Sequence, residues 1–140
     1  MIEFVPYKAA HVLGMTPAAE VYRSFVTPAA AKVLEGPFAN TCLVDGKPVA
    51  CAGIANKWLD SWLAWAYFDA AAGKHMLAVT RAIRTRFDEL PKGRIEAATP
   101  IDFPAGRRWL ELLGFKLETP DGMRHYTPDG RTFALYSRVN

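Results

Sequence analysis

Residues Ser61 to Leu90 read SWLAWAYFDAAAGKHMLAVTRAIRTRFDEL, and this stretch decides the fold. Trp62 to Phe68 carries no charge, and both alternating sets are apolar: Trp62, Ala64, Ala66 and Phe68 on one side, Leu63, Trp65 and Tyr67 on the other. Such a run predicts a central strand buried on two faces. After Asp69 the period lengthens. Met76, Val79, Thr80, Ile83, Phe87 and Leu90 fall at three- and four-residue steps, with Lys74, Arg81, Arg84, Arg86 and Asp88 on the other side. This predicts an amphipathic helix, stopped by Pro91 and Gly93. Gly73 stands between strand and helix. A glycine there lets backbone N–H groups face an anion with the positive end of the helix dipole behind them, a geometry suited to phosphate, although many such turns bind nothing.

The 140 residues suffice for one core and fall short of two ordinary domains, so a single domain spanning residues 1–140 is expected. The formal charge of +3 comes from 17 Lys and Arg scattered among 14 Asp and Glu, which favours a solvated surface over nucleic-acid binding. No N-terminal stretch pairs a basic region with an apolar core and a cleavage site, and no apolar run approaches the roughly 20 residues a bilayer needs. A soluble, cytoplasmic protein is expected. Cys42 and Cys51 are expected as buried reduced thiols, and neither has zinc-ligand spacing. With Gly46 and Lys47 at a hairpin tip, Cys42 lies opposite Cys51. With Asp45 and Gly46 there, the better turn chemistry, it faces Val49.

Ile2 to Tyr7 alternates as a short first strand. Thr16-Pro17 and Thr27-Pro28 each give a helix start signal, a hydroxyl cap followed by proline at the first helical position. The first of these helices is expected to bury Val21, Tyr22 and Phe25, the second Val33 and Leu34, with Gly36-Pro37 ending it. Ala39 to Val44 and Pro48 to Ile54 form a hairpin, and Asn56 to Asp60 leads into the central strand. Arg94 to Ala98 is a further strand. A helix follows, capped at Asp102, with an apolar stripe of Trp109, Leu110 and Leu113 and a stop at Gly114. Phe115 to Leu117 and then the tail, with an Asp129-Gly130 turn and a last strand through Val139, complete the plan. The order is strand, two helices, three strands, helix, strand, helix, two strands: a mixed α/β (α+β) architecture without repeat or linker.

That order, with the Gly73 turn after the fourth strand and a helix ending in Leu113-Gly114-Phe115 before the sixth, resembles the GNAT superfamily of N-acetyltransferases across nearly the whole chain. The best local matches are LVDGKPVACAGIA, the Gly73 turn and RRWLELLGF. The resemblance implies acetyl-CoA as co-substrate, its pyrophosphate near Gly73, Lys74 and His75 and its pantetheine beside Tyr67, Phe68 and Asp69. The turn departs from the family pattern, with Ala70, Gly73 and His75 where Arg or Gln, Gly, and Gly or Ala are usual. A side chain at the third position crowds a close backbone approach. Where the family commonly has a tyrosine acid this chain has Leu110, which donates no proton, so Tyr126, Tyr67 or water must substitute. The lone-glycine turn, Leu110, and the ending Tyr126, Asp129, Gly130, Phe133, Leu135 also resemble the small GNAT-like internal virion proteins of T7-like podophages. This narrower likeness implies phage virion partners, location in the host cytoplasm or virion, and a morphogenetic role without demonstrated acetylation.

An acyltransferase needs a base for the acceptor amine and a donor for the developing oxyanion. Asp69, Asp60 and Glu96 are the candidate bases, Asp69 being otherwise a helix cap, and backbone N–H groups near Tyr67 or Phe68 are the implied oxyanion donors. His75 is either a phosphate ligand or an ordinary first-turn residue. His11 and His125 lack companions at metal-ligand spacing, and no strained nucleophile turn supports hydrolase chemistry. Trp58, Trp62 and Trp65 read as core or as the floor of an acceptor cleft. Arg107 and Arg108 read as solvated or as CoA-phosphate contacts. The tail strand, Thr132 to Val139, offers an edge through which a homodimer would pair.

Overall fold

The computed structural model describes residues 1–18, 22, 26–90 and 92–140, the side chain of Asp88 excepted. Seven strands form one mixed sheet: β1 (Ile2–Pro6), β2 (Ala39–Val44), β3 (Lys47–Trp58), β4 (Ser61–Phe68), β5 (Arg94–Pro100), β6 (Lys116–Leu117) and β7 (Phe133–Val139). Their order in the sheet is β1-β2-β3-β4-β5-β7-β6. The helices are α1 (Ala9–Leu13), α2 (Pro28–Val33), α3 (Met76–Arg86) and α4 (Pro104–Leu112). The chain divides into two compact units, Met1–Ala55 with Ala64–Leu90, and Asn56–Leu63 with Pro91–Asn140.

In the first unit the Asp45-Gly46 pair turns the hairpin. Val44 lies opposite Lys47, and φ is 50° at Asp45 and 80° at Gly46, the left-handed pair a tight two-residue hairpin needs. The register then shifts at Cys42/Leu43, so Cys42 faces Ala50 and not Val49 as the turn alone predicts. A bulge adds one residue to β3, which the turn chemistry does not reveal. Cys42 packs with Val49, Ala50 and Val79, whereas Cys51 packs with Tyr7, Val12, Met15, Ala31 and Ala39, and both thiols are free.

Two helix expectations change. An unanticipated α1 follows β1, its start closed by Lys8 N–H donating to His11 Nδ1 at 3.1 Å. At the Thr16-Pro17 start signal the backbone instead pairs with the end of β4, Pro17 bridging Asp69. Tertiary backbone pairing overrides the local cap there. Val21 and Phe25 lie outside the described residues; Tyr22 sets its ring edge-on to Tyr67. The second signal holds, with Ala30 N–H donating to Thr27 Oγ1 at 3.2 Å and Pro28 opening α2. Its buried residue is Ala31, whose carbonyl accepts the Tyr7 hydroxyl, while Val33 is exposed and Leu34 packs partly against the core. A six-residue helix has room for only one inward face, and Ala31 and Leu34 take it.

β4 is half-buried along most of its length and Leu63 is exposed, so it is not covered on both faces as its composition predicts. α3 stops at Arg86 and a 3-10 turn, Phe87–Glu89, carries the chain on.

In the second unit Ile95, Ala97, Leu110, Leu113, Phe115, Phe133, Ala134 and Tyr136 are buried. α4 begins at Pro104 after Phe103, and Asp102 is not its cap. Gly114, at φ 87°, ends it with Phe115 N–H returning to Leu110 C=O at 3.0 Å. β7 runs between β5 and β6, and Glu118, Thr119 and Met123 bond to it beyond β6. The tail strand is therefore no free edge, and the dimer expected through it loses its basis. Of the arm before Asp129-Gly130, a single bridge, Met123 to Phe133, is formed. Among the described residues no helix is long and apolar enough to cross a membrane.

Candidate functional site

The turn from β4 into α3 is built by Asp69. Its N–H donates to Val49 C=O on β3, holding the chain to the sheet at 2.9 Å. Its carboxylate accepts Thr16 N–H on Oδ1 at 2.7 Å and Ala71 N–H on Oδ2 at 2.9 Å. Ala72, buried, then sends its N–H to Asp69 C=O, and Gly73, Lys74 and His75 form one 3-10 turn leading into α3. Gly73 and Lys74 are exposed and His75 is half-buried. A Cβ built on Gly73 meets nothing within 4 Å, and its φ lies outside the left-handed region. Neither backbone strain nor packing thus requires glycine there. From Ala70 to Phe87 the chain carries Lys74, Arg81, Arg84 and Arg86 and no acidic residue, while the Asp69 carboxylate just before it lies in the turn itself.

Tyr67 and Phe68, the residues expected beside pantetheine, end β4 immediately before this turn. Tyr67 is half-buried between Trp65 and Tyr22, and burial pushes its phenol above the ordinary value. Trp65 packs edge-on against Tyr7 at 5.0 Å as part of the core, and its indole N–H is buried without a partner. Trp58 is exposed at the end of β3 with the Lys57 ammonium 4.6 Å over its ring.

Glu96 belongs to the second unit. Arg94 donates to Oε1 at 2.8 Å and Lys57 to Oε2 at 3.2 Å. The Arg94 bond, more than Lys57, holds its carboxyl below the ordinary value, although partial burial opposes this. Tyr126 is half-exposed, its ring tilted against Phe133 at 5.1 Å. Arg107 donates to the Tyr136 hydroxyl and to Ile101 C=O, fastening α4 to the sheet, and Arg108 is exposed. Leu110 is only 7% exposed, a core residue of that unit.

One polar chain escaped sequence reading. His11 Nδ1 accepts Lys8 N–H and lies 2.8 Å from Thr41 Oγ1, which in turn is 3.5 Å from Cys51 Sγ. Because Lys8 donates to Nδ1, that nitrogen is the unprotonated one and the Thr41 hydroxyl donates to it. Burial, then the Lys8 charge, lowers the His11 pKa, while burial pushes the Cys51 thiol up to about 11. A thiol so shielded is inert. No sequence spacing links residues 11, 41 and 51; the β2–β3 pairing brings Thr41 opposite Cys51.

The architecture matches solved structures over almost its full length. The ribosomal-protein-S5-alanine acetyltransferase of Vibrio fischeri superposes with a TM-score of 0.71 at 17% identity, covering 99% of this chain and 93% of that one. The fold is that of the GNAT acetyltransferases. The GNAT fold of the ribosomal-protein-S18-alanine N-acetyltransferase from Escherichia coli gives 0.72 at 16% identity, over 99% and 94% of the two chains. Ard1 from Thermoplasma volcanium gives 0.77 at 13% identity, over 99% and 97%. No family model and no curated protein matches this sequence. At these identities it is the GNAT fold that is shared.

Proposed function

We propose that this protein is an acyl-CoA-dependent N-acyltransferase, with acetyl-CoA as donor. The observation that carries the reading is Gly73: an exposed glycine at the helix entrance that nothing inside the protein demands. Ala70, Ala71, Ala72 and His75 spend their N–H groups inside the protein, so the bare Gly73 and its neighbour Lys74 are where the backbone can approach a pyrophosphate closely, with the Lys74 ammonium and the helix dipole adding attraction. His75 flanks the same turn. Tyr67 and Phe68 line the strand end along which the pantetheine arm runs.

In the reaction an acceptor amine attacks the thioester carbonyl, a carbon–nitrogen bond forms as the carbon–sulfur bond breaks, the nitrogen gives up one proton to solvent, and the leaving thiolate takes one up. Asp69 commits both carboxylate oxygens to backbone N–H groups, and Glu96, whose carboxyl Arg94 and then Lys57 hold below its ordinary value, is a weak base. Tyr126, a phenol the sequence offers as proton donor, is half-exposed in the second unit, and water is the other donor open to a leaving thiolate. A second reading, a non-catalytic phage virion or morphogenesis protein on this fold, is favoured by Leu110, buried in the core at the position where the resembled family commonly carries its acid.

Calorimetric titration with acetyl-CoA, beside a Gly73→Glu variant, separates the two. Micromolar binding abolished by the substitution supports the donor site and justifies screening amines. No heat at millimolar ligand from a folded protein moves the assignment to the virion role.

A further inference from the structure

One edge of the β4 end is occupied by the protein's own chain. Asp69 directs its N–H toward β3, to Val49 C=O. Successive residues of an extended chain send their backbone groups to opposite edges, so Phe68 and Ala70 face away from β3. On that side Ala18 N–H donates to Phe68 C=O and Ala70 N–H donates to Thr16 C=O, both at 2.8 Å, with Pro17 opposite Asp69 in an antiparallel bridge. The Asp69 carboxylate closes the contact through Thr16 N–H while its other oxygen holds Ala71 N–H in the turn. Thr16 to Ala18 is thus a short segment, joined by one bridge and its flanking hydrogen bonds to the approach to Gly73.

The acyl-CoA reading, on which this inference rests, brings a second extended chain to the same place. Pantetheine carries two amides and ends at the pyrophosphate. An arm leading to Gly73 along β4 meets the Phe68 carbonyl and the Ala70 N–H on its way. The Ala70 N–H has one hydrogen and bonds one partner or the other, and the chain from Thr16 to Ala18 takes the edge beside the Phe68 carbonyl. We infer that Thr16–Ala18 is an autoinhibitory strap, which holds the donor groove closed and leaves the β4 edge when acyl-CoA enters. Asp69 is then a positioning residue, the clasp between strap and turn. Three residues held by a few backbone bonds suit such a role. Each exchanged hydrogen bond has a small net value, and Pro17, with its fixed φ, loses little freedom in closing.

The test is CoA binding by the full chain and by an Ala18→Pro variant, which removes the N–H given to Phe68, together with amide exchange of Ala18 and Ala70 in the unmodified protein. The strap predicts roughly threefold to tenfold tighter CoA binding by the variant, since a larger fraction is open. It also predicts that CoA speeds exchange at Ala18 in the unmodified protein, a readout that stands even if the variant fails to fold. Equal or weaker binding by a folded variant, or greater protection of Ala18 when CoA binds, overturns the strap and leaves the acyl-CoA reading intact. Absence of CoA binding by both folded proteins at millimolar ligand overturns the acyl-CoA reading and the strap with it.

Discussion

Gly73 and Gly93 both sit where strands and helices meet, and they are glycines for opposite reasons. Gly93 has φ 130°, and a Cβ there would lie 2.1 Å from Asp60 C=O, the carbonyl that accepts Arg94 N–H at 2.8 Å. The start of β5 can pass this close to the β3–β4 turn only without a side chain. Gly73 has ordinary φ and open space around it. The first glycine is explained entirely by the fold. The second is left over once the fold is accounted for, and a residue the fold does not require is where a ligand is best sought.

Substitutions at these positions break or sharpen that contrast. The largest effect belongs to Gly93→Ala, which combines a left-handed-region backbone with a clash against a carbonyl. It is expected to cost about 3 kcal/mol or more, read as a fall in Tm or loss of the folded state. Gly53→Ala comes next, at about 2 kcal/mol by denaturant unfolding. Its Cβ would meet the Phe38 oxygen at 2.7 Å and Ala39 Cα at 2.8 Å, both backbone, although φ there is ordinary. Gly73→Ala should leave stability unchanged or raise it, by at most about 1 kcal/mol, while weakening CoA binding roughly tenfold. A substantial fall in stability there would erase the contrast and return Gly73 to the fold.

The smallest effect concerns Glu96, two residues past Arg94. Its folded-state pKa is lowered, so its contribution is fully present above the usual 4.5 and is lost as pH falls through the folded value. Glu96→Gln should therefore reduce stability by at most about 1 kcal/mol at neutral pH and flatten the acid limb of a Tm–pH profile below that value. An unchanged limb would mean that the Arg94 and Lys57 bonds contribute nothing.

Where neighbours along the chain decide the conformation, the sequence was readable. Thr27-Pro28 capped a helix, Asp45-Gly46 turned a hairpin and Gly114 ended α4, each through groups at most a few residues apart. The same logic failed at Thr16-Pro17 and Asp102, where equally good local signals met competing partners or a different chain direction. Within the candidate site, Gly73 and its basic surroundings were legible. Asp69 was legible as a cap but not as a clasp, because its second partner, Thr16, is 53 residues away.

The sequence by itself determined the mixed α/β class, the GNAT-like plan and the glycine at the entrance to α3, since these depend on periodicity and turn chemistry, while the structure showed that the fold makes no claim on that glycine. Only the tertiary structure decided which backbone groups find partners: the bulge that sets Cys42 against Ala50, the enclosure of β7, the His11–Thr41–Cys51 chain and the Thr16–Ala18 contact with β4. Every extended segment carries the same N–H and C=O groups whatever its side chains, so its choice of partner is fixed by what the rest of the chain brings within reach.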